Sequence, residues 1–303
     1  MMQTYLNEIT AHEIAHFKVH LERLGYTKST QEMLPRLMKS FFTYTAKKIS
    51  EITAEDITTF YTYLHERPNQ IKPGGLSESY IHHHVYALKV FFAWQEQKGT
   101  MSQNPMSTLA FKRPISKPRA ILSLSEVKRL YEACENYQEK ALLGLFYGCG
   151  LRKSEGEALH LKDIHFRSSL LYVRLGKGGR RRVIPLSEKV KIDLQNYAYK
   201  ERPFQRISKR NASLEDQMAF MLNQRGKPMR GASYNRLLKV LLQRASISKE
   251  ITLHGLRHSI ATHLLASGLS LEQVRDFLGH KHLESTQVYT RIQSKQLWHL
   301  SNQ

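Results

Sequence analysis

The sequence predicts a mainly α-helical chain with a small β-hairpin or sheet, divided into an N-terminal helical bundle and a larger second domain. Three observations predict it. Residues 1–110 place apolar side chains at helical spacing between N-capping residues and glycine or proline stops. Two short strand-like runs, 170–175 and 182–186, flank the glycine-rich GKGGR. FKRPISKPRA, at 111–120, is basic, proline-punctuated and without apolar period, which makes it a linker.

The bundle should hold four helices. Ile14, Phe17, Leu21 and Leu24 form one stripe that ends at Gly25. A second helix follows Ser29/Thr30 and carries Leu34, Leu37, Phe41 and Phe42. Thr53 caps a third, which stops before Pro68, and NQIKPGGLS is a turn-rich loop. The fourth runs from Ser77 to about Gln97 and should bury Ile81, Leu88, Phe91, Phe92 and Trp94. Four helices in this length make a small bundle at 1–110. The linker occupies 111–120 and the second domain 121–303.

In the second domain a helix is capped at Ser123. An apolar helix then runs into Gly148 and Gly150, which break it and set Arg152 at the start of the next turn. The hairpin follows, with Lys177 on its glycine-rich tip. After it come a helix at SEKVKIDLQNYAYKE, a polar loop at 203–216, a short strand at AFMLN and a helix at 233–245. Thr252 caps a helix with Ile260, Leu264 and Leu265 on one stripe, closed by Gly268. Ser270 and Gln273 form a capping-box pattern, and Gly279 ends that last helix just before His280, with Tyr289 beyond.

Charge narrows the function. The net charge is +20, and it is uneven: residues 1–110 hold 11 Lys/Arg against 10 Asp/Glu, whereas 111–303 hold 35 against 16. A polyanion partner is expected for the second domain, and nucleic acid fits better than a membrane surface. No basic amphipathic helix with a broad apolar face and no apolar run of membrane length occurs. Cys134 and Cys149 lack metal-ligand spacing and are expected in the core of a reduced, cytoplasmic protein.

His254 and Arg257 stand three residues apart on one helix face, and Arg152, Lys177, His280 and Tyr289 complete a set suited to phosphodiester chemistry. Two guanidiniums gripping the non-bridging oxygens offset the charge that repels nucleophiles. A phenol attacks phosphorus and keeps the phosphate as an ester. A lysine protonates the leaving sugar oxygen, and histidines move protons or donate to the phosphate. Singly, each residue has a plainer reading: with 15 Tyr, 15 His and 46 Lys/Arg, chance pairs abound, and Lys177 alone is a solvated turn.

The ordered set GLRKSE, GKGGRRRVIPL, HGLRHSIATHLLASG and FLGHKHLESTQVYT resembles the tyrosine recombinase (phage integrase) family, in its Xer-like and small transposon or integron branch. The resemblance implies a core-binding, SAM-like N-terminal bundle and a C-terminal catalytic domain. It implies Arg152, Lys177, His254, Arg257, His280 and Tyr289 as the catalytic set, with Glu155 orienting Arg152. It further implies double-stranded DNA as partner and four protomers on two sites, as a homo-oligomer or with a related recombinase. Chemistry would pass through a 3′-phosphotyrosine and a Holliday junction without cofactor or metal. Leu297, Trp298 and Leu300 would dock the tail on a neighbouring protomer. Gly156 departs from the family pattern, which has an apolar residue there. A type IB topoisomerase-like strand transferase and a non-catalytic DNA-binding protein are the alternatives. HEIAH at 12–16 matches the zinc-protease motif in form, but its histidines fall opposite the Phe17/Leu21 stripe, towards solvent or DNA. His82–His84 points in three directions along its helix and is expected to hold no metal.

Overall fold

Thr27, Thr53 and Ser77 each turn an extended chain into a helix by accepting the backbone N–H three residues on. They open α2 (Lys28–Thr45), α3 (Ala54–Glu66) and α4 (Glu78–Gln97), which follow α1 (Met2–Arg23). At Thr53 the cap is reciprocal, because the Asp56 carboxylate takes the Thr53 N–H at 3.0 Å. The computed structural model describes residues 2–71, 73–113, 120–174, 181–205, 213 and 217–279, and it divides into units 1–117 and 118–303. In the first unit the four helices bury one aromatic-rich core. Phe41 meets Phe60, Phe42 and Phe92 edge-on, and Phe91 meets Phe17 at 5.2 Å.

Two expectations for this unit need correction. The cap of α2 is Thr27, not Ser29/Thr30. Leu24 is 59% exposed, because α1 ends at Arg23 and Gly25, at φ +72°, swings the chain away; Tyr26 packs on the core instead. Within the His82–His84 run, His84 stands apart. It is buried, edge-on to Phe60 and Tyr80, and neither ring nitrogen has a hydrogen-bond partner.

The second unit wraps a larger core. Ser123 caps α5 (Leu124–Glu132), and Asn136 caps α6 (Tyr137–Leu143), which widens into a π turn at Gly144–Gly148. A Cβ on Gly148 would lie 2.5 Å from Val190 Cγ2, so this helix reaches α8 (Glu188–Asn196) only through glycine. The short helix α7 (Lys153–Glu157) leads to a three-stranded antiparallel sheet in the order β1 (Ile164–His165), β2 (Leu170–Val173), β3 (Arg182–Pro185). β1 went unread because two residues carry no period. AFMLN forms no strand of this sheet: Ala219 and Leu222 make single bridges to His160 and Pro228. α9 (Gly231–Arg244), α10 (Leu253–Ala266) and α11 (Leu271–Leu278) follow, the last two capped at Thr252 and Ser270 as the sequence indicates. Among the described residues no helix is long and apolar enough to cross a membrane. Cys149 is buried and Cys134 half-buried, and burial pushes both thiols up to about 12.

Candidate active site: an arginine cluster around Glu155

The site is assembled where two glycine turns meet α10. The chain leaves the π turn through Gly150, at φ +57°, and Arg152 becomes the N-cap of α7. Glu155, one turn on, accepts the Arg152 backbone N–H at 2.8 Å on Oε2 and the Arg152 Nη1 at 2.7 Å on Oε1. The side chain thus caps its own helix while holding the guanidinium of the capping residue.

Arg257 enters from α10, only 2% exposed. It donates from Nη1 to the Gly150 carbonyl and from Nη2 to the Leu278 carbonyl at 2.5 Å, and its Nη1 lies 4.0 Å from Glu155 Oε2. Arg152 Nη2 donates to the Gly279 carbonyl at 3.0 Å. Both guanidiniums therefore satisfy carbonyls that the end of α11 leaves without intrahelical partners. Gly279 sits at φ +66° and Gly150 at φ +57°, and a Cβ on Gly150 would come within 2.7 Å of Leu278 Cδ2. Close approach and left-handed backbone make both positions glycine sites.

A third arginine, Arg182 at the start of β3, joins the pair. Arg182 is 7% exposed and forks onto the same carboxylate, Nη1 to Oε1 at 2.7 Å and Nη2 to Oε2 at 2.8 Å. The signal was in the strand period. Arg182 shares its face with Ile184, which is fully buried, and pairs across the sheet with Val173. A charged residue on a core-facing position needs a partner, and Glu155 is that partner.

Burial alone pushes the Glu155 carboxyl up, but the hydrogen bonds and charge of Arg182, with the Arg152 contacts, outweigh it and hold the group at about 2. Burial first, then the charges of Arg152 and Arg182, pull the Arg257 guanidinium down to about 9, so it stays charged at neutral pH. Among the described residues three guanidiniums gather around the Glu155 carboxylate. The excess positive charge is suited to an anion, and Arg152, with 19% of its side chain exposed, is the member that solvent reaches.

Of the predicted site residues, the structure brings Arg152 and Arg257 together around Glu155. His254 lies on α10 one turn before Arg257, exposed, with its ring 4.7 Å from that of His258. Lys177, His280 and Tyr289 lie outside the described residues, as do the tail from 280 to 303 and much of the expected loop at 203–216. Gly156, the departure from the family pattern, has a reason: a Cβ there would lie 2.5 Å from Cζ of the buried Phe146 ring. The ligand atoms of His12, Glu13 and His16 fall within 4.8 Å of one another, but Lys98 and Gln95 already hold the Glu13 carboxylate at 2.9–3.0 Å.

The chain belongs to the phage integrase family, the tyrosine recombinases, whose model matches residues 121–296. It is 31% identical over 296 residues to tyrosine recombinase XerD of Oceanobacillus iheyensis, a match covering 96% of each chain. To tyrosine recombinase XerC of the same organism it is 31% identical over 249 residues, covering 80% of this chain and 78% of that protein. Its fold is that of the Tn1549 transposon integrase, solved in complex with transposon right-end DNA, with a TM-score of 0.71 at 20% identity over 95% of this chain and 99% of that one.

Proposed function

We propose that this chain cleaves and rejoins DNA at a specific site through a covalent 3′-phosphotyrosine at Tyr289, exchanging strands between two duplexes. The observation that carries the reading is the Arg152–Arg257 pair brought together around Glu155, with Arg152 reached by solvent. In the reaction the Tyr289 oxygen attacks phosphorus, the bond to the 5′ oxygen breaks, and that oxygen leaves as a hydroxyl. Arg152 and Arg257 hold the non-bridging oxygens as charge builds on them, because their positions are set before the substrate arrives. Lys177 protonates the leaving oxygen, His254 takes and returns the phenol proton, and His280 donates to the phosphate. A 5′-hydroxyl from the partner duplex then attacks the phosphotyrosine and releases Tyr289. The ester conserves the bond energy, so the exchange requires neither nucleotide hydrolysis nor a metal.

In this proposal the near-neutral bundle of 1–110 and the basic unit beyond the 111–120 linker grip double-stranded DNA together, with Arg225, Lys227 and Arg230 among the contributing charges. Four protomers act on two sites through a Holliday junction, each docking the Leu297–Leu300 segment on a neighbour. The protein works in the cytoplasm.

Covalent trapping tests the chemistry. The protein is incubated in EDTA with nicked DNA fragments from its own genomic neighbourhood, and denaturing gels reveal protein-linked DNA. A DNA adduct formed by the wild type and abolished in Tyr289→Phe, with binding intact, is expected. An adduct that persists in Tyr289→Phe overturns the assignment. Supercoil relaxation without exchange between two sites would make the protein a topoisomerase instead.

A further inference from the structure

Arg182 does more than pair a buried charge. The Glu155 carboxylate receives four short hydrogen bonds, and Arg182 makes two of them, in the parallel fork that fixes a carboxylate plane. The same side chain is the wall behind Gly279: a Cβ there would lie 2.7 Å from Arg182 Cδ and 3.1 Å from Nη1. Arg152 is held by Glu155 on one side and by the Gly279 carbonyl on the other. Arg182 therefore bonds the carboxylate that holds Arg152 on one side and packs beside the residue whose carbonyl holds it on the other. It also opens β3, where the chain emerges from the glycine-rich run that carries Lys177.

We infer that Arg182 is a positioning residue of the strand-transfer site, aiming the Arg152 guanidinium through Glu155 and Gly279. The inference rests on the proposed function of the same site. A purely structural ion pair makes different demands: replaced by groups that pack and hydrogen-bond, it costs stability or nothing, and the chemistry of properly folded molecules is unchanged. A positioning residue shows its loss in the rate of the chemical step, with substrate binding kept.

The test measures single-turnover adduct formation and DNA affinity for Arg182→Gln, Arg182→Lys, Glu155→Gln and the Arg182→Gln/Glu155→Gln double variant, on the DNA identified by trapping. Absence of an adduct with the wild type would defeat the proposed function itself, before any variant is compared. Given that adduct, we expect Arg182→Gln to bind DNA within about threefold of wild type and to cleave roughly 10- to 100-fold more slowly. Arg182→Lys, which keeps the charge but loses the fork, should fall between the two. The double variant should be no slower than the slower single one, because both substitutions cut the same linkage. Arg182→Gln should also acquire an acid-side fall in cleavage rate that the double variant lacks, as the Glu155 carboxyl moves back towards its ordinary range. Should Arg182→Gln unfold, judged by thermal melting, Arg182→Lys decides alone. Wild-type cleavage by folded Arg182→Gln or Arg182→Lys, or a double variant slowed by the product of the single losses, overturns the inference.

Discussion

Replacing Gly156 by alanine sets two well-defined energies against each other. Gly156 lies inside α7, where glycine costs about 1 kcal/mol relative to alanine, so helix propensity favours the substitution. Contact opposes it. The added methyl would sit 2.5 Å from Phe146 Cζ and 3.0 Å from Cε1, so the ring must retreat by roughly 1 Å to reach ordinary packing. Phe146 is fully buried and meets the Tyr234 ring edge-on at 4.9 Å, and the Tyr234 hydroxyl donates to the Gly156 carbonyl at 3.1 Å. Overpacking of this kind costs about 1–3 kcal/mol, and disturbing the aromatic pair adds up to ~1 kcal/mol. Contact wins, and Gly156→Ala should destabilise the second unit by about 1–2 kcal/mol. Urea unfolding followed by far-ultraviolet circular dichroism measures it. Since α7 carries Arg152 and Glu155, slower adduct formation should accompany the loss, and Phe146→Leu in the same chain should restore part of both. An alanine variant as stable as the parent refutes the contact argument.

Two further predictions concern buried titratable groups. Burial first, then the charges of Arg67, His83 and Arg36, pull the His84 imidazole down to about 4 from 6.5. A lowered histidine pKa means that the folded state resists protonation, so stability present above pH 6.5 is lost as pH falls towards 4. Linkage puts the loss between pH 7 and pH 5 at about 2 kcal/mol. Urea titration of the bundle, read by Trp94 fluorescence in a Trp298→Phe background, should show this loss in the parent and not in His84→Leu; equal losses in both refute it. Asp193 is buried with Oδ2 unpartnered, and burial pushes its carboxyl up to about 6 against the opposing charges of Lys189 and Lys140. A raised carboxyl pKa means that ionisation destabilises the fold as pH rises from 3.8 through 6, by about 3 kcal/mol in full. Asp193→Asn should therefore be more stable than the parent at pH 8 and similar to it near pH 4, and no gain at pH 8 would refute the assignment.

Much of the fold was legible because the signals are local. Thr53, Ser123, Thr252 and Ser270 cap helices where the sequence places caps, and each does so by bonding a backbone N–H three residues away. The tyrosine recombinase family was legible in the same way, from short motifs whose residues are near one another in the chain. Leu24 escaped because one glycine turn outweighs a stripe pattern, and β1 because its two residues are strand only by pairing with β2. The role of Gly156 was invisible, since the Phe146 ring that demands it arrives from the preceding turn of the chain in a direction no period encodes.

The candidate site divides along the same line. Residue type and order sufficed to single out Arg152 and Arg257, because phosphate chemistry demands guanidiniums, and the resemblance to the family implied Glu155 beside Arg152. That Arg182 shares this carboxylate, and that the carbonyls of Gly150, Leu278 and Gly279 hold the arginine pair, was decided only by the tertiary structure. These contacts join residues as much as 127 positions apart. Local propensity has no access to such separations, since they come into being only when the core closes and leaving a buried charge or carbonyl unpaired becomes costly.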